Sequence, residues 1–342
     1  MTDDVTGPGR YVGLRVAVVG TGLIGGSVLL RLRDAGLDVT GWDPDRATRE
    51  HARRQGVAAP ETLDEAVAGR DVVFLCGPLP TLPGTLLRVA GATAPECVLT
   101  DVGSTKVELA DFARRHGLTD RFVPGHPMAG AASAGLTAAT AALLDDAAWV
   151  LCPAPGPATD AFRRLAALVV ALFRARVVPL SPEVHDTAAA LASHVPHLLA
   201  GALAGAVQRA PLRDTVLGLA AGSFRDGTRV AGTPATRTAN MLLGNRERVL
   251  GGLAAVTAYL DELAEALRAG DVAALTARYG EAAAARAALL GRSLRTDVRA
   301  FPAAGDHAAE VAWLRELGAA GGHLSGCRVD AGTVSYTAHL PT

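Results

Sequence analysis

A glycine-rich turn that directly follows an apolar run constrains the fold of this chain more than any other feature. Residues 14–19 form an apolar run of strand length that only Arg15 interrupts, and residues 20–25 read GTGLIG before a helical stretch that reaches Asp34. Glycine at this spacing permits a tight turn and lets backbone N–H groups approach a pyrophosphate at the positive end of the helix. The pattern therefore predicts a strand, a turn and a helix that together bind a dinucleotide.

An acidic residue follows at the distance that such a site requires. A second strand is predicted at residues 38–42, and Asp43 comes directly after it, about 20 residues beyond the turn. Its carboxylate would accept hydrogen bonds from the ribose hydroxyls and repel a 2′-phosphate, which favours NAD over NADP. Two alternatives stay open, because Asp43 could cap the following helix and the nearby Arg46 would suit NADP.

A second loop is expected to pass beneath the nicotinamide ribose. Gly77 and Pro78 end the strand predicted at residues 71–76, where a bulky side chain would obstruct the cofactor, although an ordinary turn would carry the same residues. The predicted cofactor-binding residues are Gly20, Gly22, Leu23, Ile24, Gly25, Asp43, Gly77 and Pro78.

Strand-length apolar runs alternate with helical stretches through the first half of the chain. This alternation predicts an α/β fold with a parallel, doubly wound sheet of the Rossmann type. One of the intervening helices is expected to begin with a capping box formed by Thr105 and Glu108. Further strands are predicted at residues 97–102, 121–123, 148–152 and 176–180.

The composition changes after Ser181, where Ala- and Leu-rich segments with helical periodicity replace the alternation. A second, all-helical domain is therefore predicted. Its helices are expected at residues 182–209, 212–222, 236–243, 246–268 and 272–290, and a weaker helix and strand follow at residues 308–318 and 333–339. The predicted domains are residues 11–181, residues 182–292, and a C-terminal tail or small appended element at residues 293–342.

The charge balance and the cysteines narrow the class of protein. The chain has 33 Lys and Arg residues against 34 Asp and Glu residues, so it offers no basic surface for nucleic acid or an anionic membrane. Small molecules or a second copy of the chain are the expected partners. Four cysteines without the spacing of a metal site, and an N-terminus without an apolar signal core, predict a cytoplasmic protein with free thiols and no bound metal.

Two further motifs lie where strands are predicted to end, at the edge where doubly wound sheets bind their ligands. Residues 101–106 read DVGSTK and residues 125–127 read GHP. Ser104 is free for another role, because Thr105 and Glu108 already supply the helix cap. Lys106 is the sole lysine among the basic residues, which indicates that a compact ammonium group matters at this position.

A third motif, SHVPH at residues 193–197, lies in the first helix of the helical domain. Ser193 and His197 are four residues apart and share one helix face, whereas His194 points elsewhere. They indicate either a pocket wall or core histidines with satisfied hydrogen bonds. His185 and Asp186 are adjacent and face different ways, so they do not suggest a metal site.

Together these motifs occur in the order found in the prephenate and arogenate dehydrogenase family, which the chain resembles over about residues 14–290. The matching segments are GTGLIGGS (20–27), DVGSTK (101–106), GHPMAG (125–130), HD (185–186), SHVPH (193–197) and FRDGTRVA (224–231). The resemblance implies NAD-dependent oxidative decarboxylation of a cyclohexadiene acid in the route to tyrosine. The apolar faces of the helical domain predict a homodimer, in agreement with the helical dimerisation domain of that family.

The resemblance further implies roles for single residues. His126 would be the base that takes the hydroxyl proton, a role that suits an imidazole, and Ser104 would orient His126 and the nicotinamide. The residues expected to bind the substrate are Ser193, His197, Arg229 and Lys106.

Two departures from the family bear on the side chain of the substrate. An acid that often follows the GHPMAG segment is replaced by the Ala-Ala-Ser of residues 131–133. Residues 233–240 lack the aromatic residue and the aspartate that frequently follow Arg229, and Asn245 matches the family's asparagine. Prephenate is the predicted substrate, with arogenate and 4-amino-4-deoxyprephenate as alternatives. A 3-hydroxyacid dehydrogenase or imine reductase and a non-catalytic NAD(H)-sensing regulator are the competing hypotheses.

Overall fold

The computed structural model describes residues 11, 13–130 and 135–342. Within these residues, the first sheet has five parallel strands in the order β2-β1-β3-β4-β5, which confirms the doubly wound α/β fold. The strands are β1 (Arg15–Val19), β2 (Asp38–Trp42), β3 (Val72–Leu75), β4 (Val98–Asp101) and β5 (Phe122–Val123). The helices are α1 (Leu23–Asp34), α2 (Arg46–Arg54), α3 (Leu63–Val67), α4 (Leu82–Ala92) and α5 (Val107–Arg115). Strands β3 and β4 are buried throughout, as parallel strands covered on both faces require.

The chain leaves this sheet at Pro124, which has no N–H to continue a ladder. The Pro124 carbonyl accepts a hydrogen bond from the Cys152 amide at 2.9 Å, and the following strands form a second sheet. Its first elements are β6 (Gly125–Pro127), β7 (Ala148–Leu151), α6 (Ala158–Phe173) and β8 (Arg176–Pro179). The alternation predicted one parallel sheet, whereas the structure divides these strands between two.

A helical region follows, in agreement with the change of composition at Ser181. The predicted helix at residues 182–209 contains a π-helical turn, Ala190–His194, near Pro196, which cannot donate to the preceding turn. The helices are α7 (Pro182–Ala189), α8 (Val195–Gln208), α9 (Arg213–Leu219), α10 (Gly222–Thr228), α11 (Ala235–Gly244), α12 (Arg246–Ala269) and α13 (Val272–Leu290). Helix α10 was not predicted. One-turn 3₁₀ helices lie at Leu79–Thr81, Leu136–Ala138 and Arg229–Gly232.

The C-terminal segment returns to the second sheet. Its elements are β9 (Leu294–Pro302), α14 (Ala308–Ala319), β10 (His323–Val329) and β11 (Thr333–Pro341). In the described part of the chain the second sheet has the order β6-β7-β8-β10-β11-β9, with β10 antiparallel to β8. Strands β9 and β10 were not predicted. The segment therefore extends a sheet that begins in the nucleotide-binding half.

A buried ion pair joins α6 to α14 inside the core that the two sheets share. The Arg163 guanidinium contacts the Glu310 carboxylate through two nitrogens, and the Tyr336 hydroxyl donates to the same carboxylate. All three side chains are almost fully buried. A buried charge that loses its partner is costly, so this cluster ties the C-terminal segment to the rest of the fold.

Replacing Glu310→Gln should therefore lower the free energy of unfolding by about 3 kcal/mol, near the lower end for a broken buried ion pair. We expect a loss near the lower end of the range because Arg163 keeps a second carboxylate partner, Asp160, at 2.7 Å. Urea denaturation followed by tryptophan fluorescence measures the change. Glu316→Gln, on the exposed side of α14, is the matched control, and an equal loss in both variants would contradict the role of the pair.

Candidate active site

The glycine turn has the geometry that the sequence predicts. Gly20 has φ +91°, and a Cβ atom there would lie 2.8 Å from the backbone of Cys76 and Gly77. A Cβ atom on Gly25 would lie 1.9 Å from the Gly20 carbonyl oxygen, whereas one on Gly22 would meet no heavy atom within 4 Å. The turn is thus closed toward β3 and open at Gly22. This geometry fits a phosphate group bound to the N-terminus of α1.

Asp43 lies beside this turn at the end of β2. Its carboxylate accepts hydrogen bonds from the amides of Thr21 at 2.9 Å and Asp45 at 3.0 Å. Helix α2 is capped by Asp45 and not by Asp43, so the capping alternative does not hold. Arg46 is exposed, and its Nε contacts Glu50 at 2.8 Å.

The other predicted cofactor-binding residues border the same turn. Leu23 and Ile24 form the first turn of α1, Leu23 buried and Ile24 half-buried. Gly77 and Pro78 lie between β3 and the 3₁₀ helix, as expected of a loop beneath the cofactor.

A cleft of about 600 Å³ lies between the nucleotide-binding half and the helical region. Five predicted site residues from both halves line it, together with one arginine that was not predicted to act there: Ser104, His126, Ser193, His197, Arg229 and Arg237. The structure therefore brings the proposed base and the proposed carboxylate-binding residue into one cleft.

His126 is held by a histidine to which no role was assigned. Its Nδ1 lies 2.9 Å from Nε2 of His185, and Nδ1 of His185 lies 2.7 Å from the Asp186 carboxylate. Burial foremost, and then the charge that His185 would carry when protonated and the charge of Lys106, hold the pKa of His126 well below its ordinary value. The imidazole of His126 is therefore neutral at physiological pH and is in contact with His185, while Ser104 lines the same cleft.

Lys106 does not line this cleft. It is 0% exposed, and its ammonium group contacts the Asp101 carboxylate and donates to the Gly125 carbonyl at 2.6 Å. The structure gives it a structural role in place of the expected substrate contact, because it fixes the end of β4 to the start of β6. A compact ammonium group fits this buried position, which explains why the one lysine of the sequence occurs here and not an arginine.

The N-terminus of α5 is capped across the boundary between the two halves. The Asp186 carboxylate accepts hydrogen bonds from the amides of Lys106 at 2.7 Å and Val107 at 2.9 Å. The capping box predicted for Thr105 and Glu108 is therefore wrong. A carboxylate from α7 takes the N–H groups that the local side chains were expected to satisfy.

The SHVPH segment has the predicted arrangement. Ser193 and His197 both line the cleft, and Nδ1 of His197 lies 2.8 Å from the Ser193 carbonyl oxygen. His194 is buried away from them and lies 3.2 Å from the Asn245 amide nitrogen. Burial lowers the pKa of His194 to about 4, so it is a neutral core residue.

Two guanidinium groups face the cleft. Arg229 begins the 3₁₀ helix Arg229–Gly232, and Arg237 lies in α11. Arg237 falls within residues 233–240, and this departure from the family pattern was the one sequence signal for it. None of the described residues that line the cleft is acidic, and the sequence of residues 131–134 is also free of acids.

Comparisons with known proteins match both halves of the chain to one family. The nucleotide-binding domain of prephenate dehydrogenase matches residues 28–179, and its dimerization domain matches residues 181–280. Cyclohexadienyl dehydrogenase of Zymomonas mobilis is 30% identical over 280 residues, which are 80% of this chain and 95% of that protein.

Two solved structures are similar in fold. Arogenate dehydrogenase of Synechocystis superposes with a TM-score of 0.67 at 29% identity, covering 80% of this chain and 99% of that one. Prephenate dehydrogenase of A. aeolicus, solved with hydroxyphenyl propionate and NAD⁺, superposes with a TM-score of 0.74 at 24% identity, covering 81% and 98%. The chain belongs to the prephenate dehydrogenase family of NAD-binding-domain enzymes, whose members act in tyrosine biosynthesis.

Proposed function

We propose that the protein catalyses the NAD-dependent oxidative decarboxylation of prephenate to 4-hydroxyphenylpyruvate. The observation that carries the proposal is the convergence of His126 with Arg229 and Arg237 in one cleft. A neutral imidazole and two guanidinium groups are what a hydroxylated dicarboxylic acid requires. The SHVPH residues supply polar groups on the opposite wall.

NAD is the cofactor that fits the residues beside the glycine turn. When bound there it supplies the hydride acceptor. Asp43 presents a carboxylate to the ribose hydroxyls, and Arg46 is paired with Glu50, which makes NADP the less favoured alternative. The NAD⁺ bound to the A. aeolicus relative supports the same choice.

In the proposed reaction, His126 accepts the proton of the ring hydroxyl as the hydride leaves the carbon that bears it. The ring carboxylate then departs as CO₂, and its bonding electrons enter the ring, which becomes aromatic. The phenolic oxygen recovers a proton, so the base is restored. Arg229 and Arg237 hold the carboxylates while His126 holds the hydroxyl, which orients the ring for both steps.

The charge of the cleft favours prephenate over its amino counterparts. Prephenate is a dianion with a keto side chain, whereas arogenate carries an ammonium group that an acidic partner would stabilise. The described lining residues offer two cations and no acid. An ammonium group beside Arg237 would meet a like charge in a partly desolvated site, which is unfavourable.

Replacing His126→Asn should lower kcat for prephenate by about 10²–10⁴-fold, because the general base is lost. The affinity for NAD should stay unchanged, since His126 lies outside the glycine turn. Absorbance of NADH measures turnover, and fluorescence titration measures cofactor binding. His116→Asn, an exposed histidine at the end of α5, is the control, and near-normal turnover of the His126 variant would remove it from the role of base.

The specificity of the enzyme among its candidate substrates is tested with prephenate, arogenate and 4-amino-4-deoxyprephenate in parallel. The wild type should prefer prephenate, and Arg237→Gln should raise its KM roughly 10–100-fold, the loss of about 1.5–3 kcal/mol for a charged hydrogen bond. The KM for arogenate should change far less, because the lost carboxylate contact is offset by the removal of a positive charge beside the ammonium group of that substrate. Arg268→Gln, on the exposed face of α12, is the control. Wild-type preference for arogenate would overturn the substrate assignment, and tight NAD binding without any turnover would favour the sensor hypothesis.

We further propose that the protein is a cytoplasmic homodimer joined through its helical region. In the described chain one helical stretch, Pro182–Gln208, is long and apolar enough to cross a membrane, but it carries Ser193 and His197 of the cleft. Large apolar residues are exposed along the same region, with Leu219 at 78% and Leu267 at 67%. A second copy would cover them, and the free thiols suit a reducing compartment.

Light scattering at micromolar concentration should therefore give twice the 34.9 kDa of one chain. The exposed apolar surface of the helical region is the physical reason, because a soluble monomer rarely leaves such a surface uncovered. A monomer under these conditions would contradict the proposal.

A further inference from the structure

A line of three side chains leads from the cleft into the boundary between the two halves. His126 on β6 contacts His185 on α7 at 2.9 Å, and His185 contacts Asp186 at 2.7 Å. The rings of the two histidines are nearly perpendicular, at 77°, with centroids 5.1 Å apart. His185 and Asp186 are 2% and 1% exposed, so water does not compete for these contacts.

The Asp186 carboxylate determines which ring nitrogens of His185 and His126 carry protons. Burial alone would raise the pKa of Asp186, but the hydrogen bonds from His185 and from the amides of Val107 and Lys106 bring it below its ordinary value. An ionised carboxylate only accepts, so Nδ1 of His185 carries a proton and donates. When His185 carries only this proton, its Nε2 atom is an acceptor, and it accepts a hydrogen bond from Nδ1–H of His126.

This order leaves Nε2 of His126 without a proton. Because Nδ1 is occupied by His185, Nε2 is the nitrogen available to the cleft that His126 lines. Nε2 of His126 therefore has the lone pair that a base needs. In the opposite tautomer Nε2 would carry a proton and could not accept one.

We propose that His185 and Asp186 are positioning residues that fix this tautomer of His126 and withdraw the proton it accepts. This proposal rests on the proposed function, because it assigns the base of that reaction. As Nε2 of His126 takes the hydroxyl proton, its Nδ1 proton moves to Nε2 of His185. His126 stays neutral, and His185 becomes an imidazolium paired with the Asp186 carboxylate. The proton returns by the reverse path when the phenolic oxygen is protonated.

The charges around His126 explain why such a path is useful. The permanent cations that act on His126 are Lys106 on the β4–α5 loop and Arg237 on α11, and the titratable groups that face it from the helical region are His185 and His194. A positive charge held on His126 would be repelled by both permanent cations. Asp186 is the carboxylate within hydrogen-bonding distance of His185, so it stabilises the charge one residue further from the cleft.

Two substitutions separate orientation from proton transfer. In His185→Gln the side-chain oxygen can accept the Nδ1 proton of His126 while its amide donates to Asp186, so the tautomer is held but no proton is taken up. His185→Leu removes both functions. By analogy with the loss of a tautomer-fixing carboxylate from a catalytic triad, we expect kcat to fall about 10-fold in the first and about 10³-fold in the second. The KM for NAD should not change, and the His116→Gln and His116→Leu pair is the control.

The tautomer itself is measured without turnover. Two-bond ¹⁵N–¹H correlation spectra of protein labelled at its nine histidines, with His126 identified from the signal lost in His126→Asn, should show a proton on Nδ1 and none on Nε2. His185→Leu should mix the two tautomers. A proton on Nε2 in the wild type, or kcat within twofold in both His185 variants of an active enzyme, overturns the relay. An inactive wild type with the expected tautomer refutes the proposed function alone.

Discussion

The site depends on one buried ion pair, between Lys106 and Asp101. The Asp101 carboxylate also accepts the amides of Gly103 at 2.8 Å and Gly125 at 3.0 Å, while Lys106 donates to the Gly125 carbonyl. These contacts join the end of β4 to the first residue of β6. The loop that carries Ser104 and the strand that carries His126 are therefore held in one fixed relation. Both charges are fully buried, so the loss of either one would leave the other without compensation.

The helical region completes this arrangement by supplying groups to the nucleotide-binding half. Asp186 of α7 satisfies the first amides of α5, and its backbone carbonyl accepts a hydrogen bond from the Asn245 side chain at 2.6 Å. The helix that follows Lys106 is thus anchored from the other side of the cleft. A change in the angle between the halves would alter the cap of α5 and the orientation of His126 together. The wall of the cleft that carries Ser193 and His197 is therefore linked to His126, the proposed base.

The parts that sequence could predict are those encoded by local periodicity. The glycine turn, β2, α4 and α13 agree with the patterns of residues 20–25, 38–42, 82–92 and 272–290. The parts it missed depend on contacts between distant residues. Strands β9 and β10 are defined by pairing with β11 and β8, and the cap of α5 comes from a residue about 80 positions away. The burial of Lys106 likewise required the position of Asp101 relative to β6, which no spacing along the chain reveals.

The cleft also has to reconcile two opposing electrostatic demands. In the proposed reaction Arg229 and Arg237 favour a dianionic substrate, but a cationic cleft weakens the proposed base that must take a proton from it. Arg237 and Lys106 both lower the pKa of His126, after the larger effect of its burial. An isolated imidazole in this field would be a poor proton acceptor. The contact of His126 with His185, and of His185 with a carboxylate held by backbone amides, places the compensating negative charge behind the base, where it does not repel the substrate. The proposed anion binding and the proposed general-base catalysis are therefore compatible in one cleft.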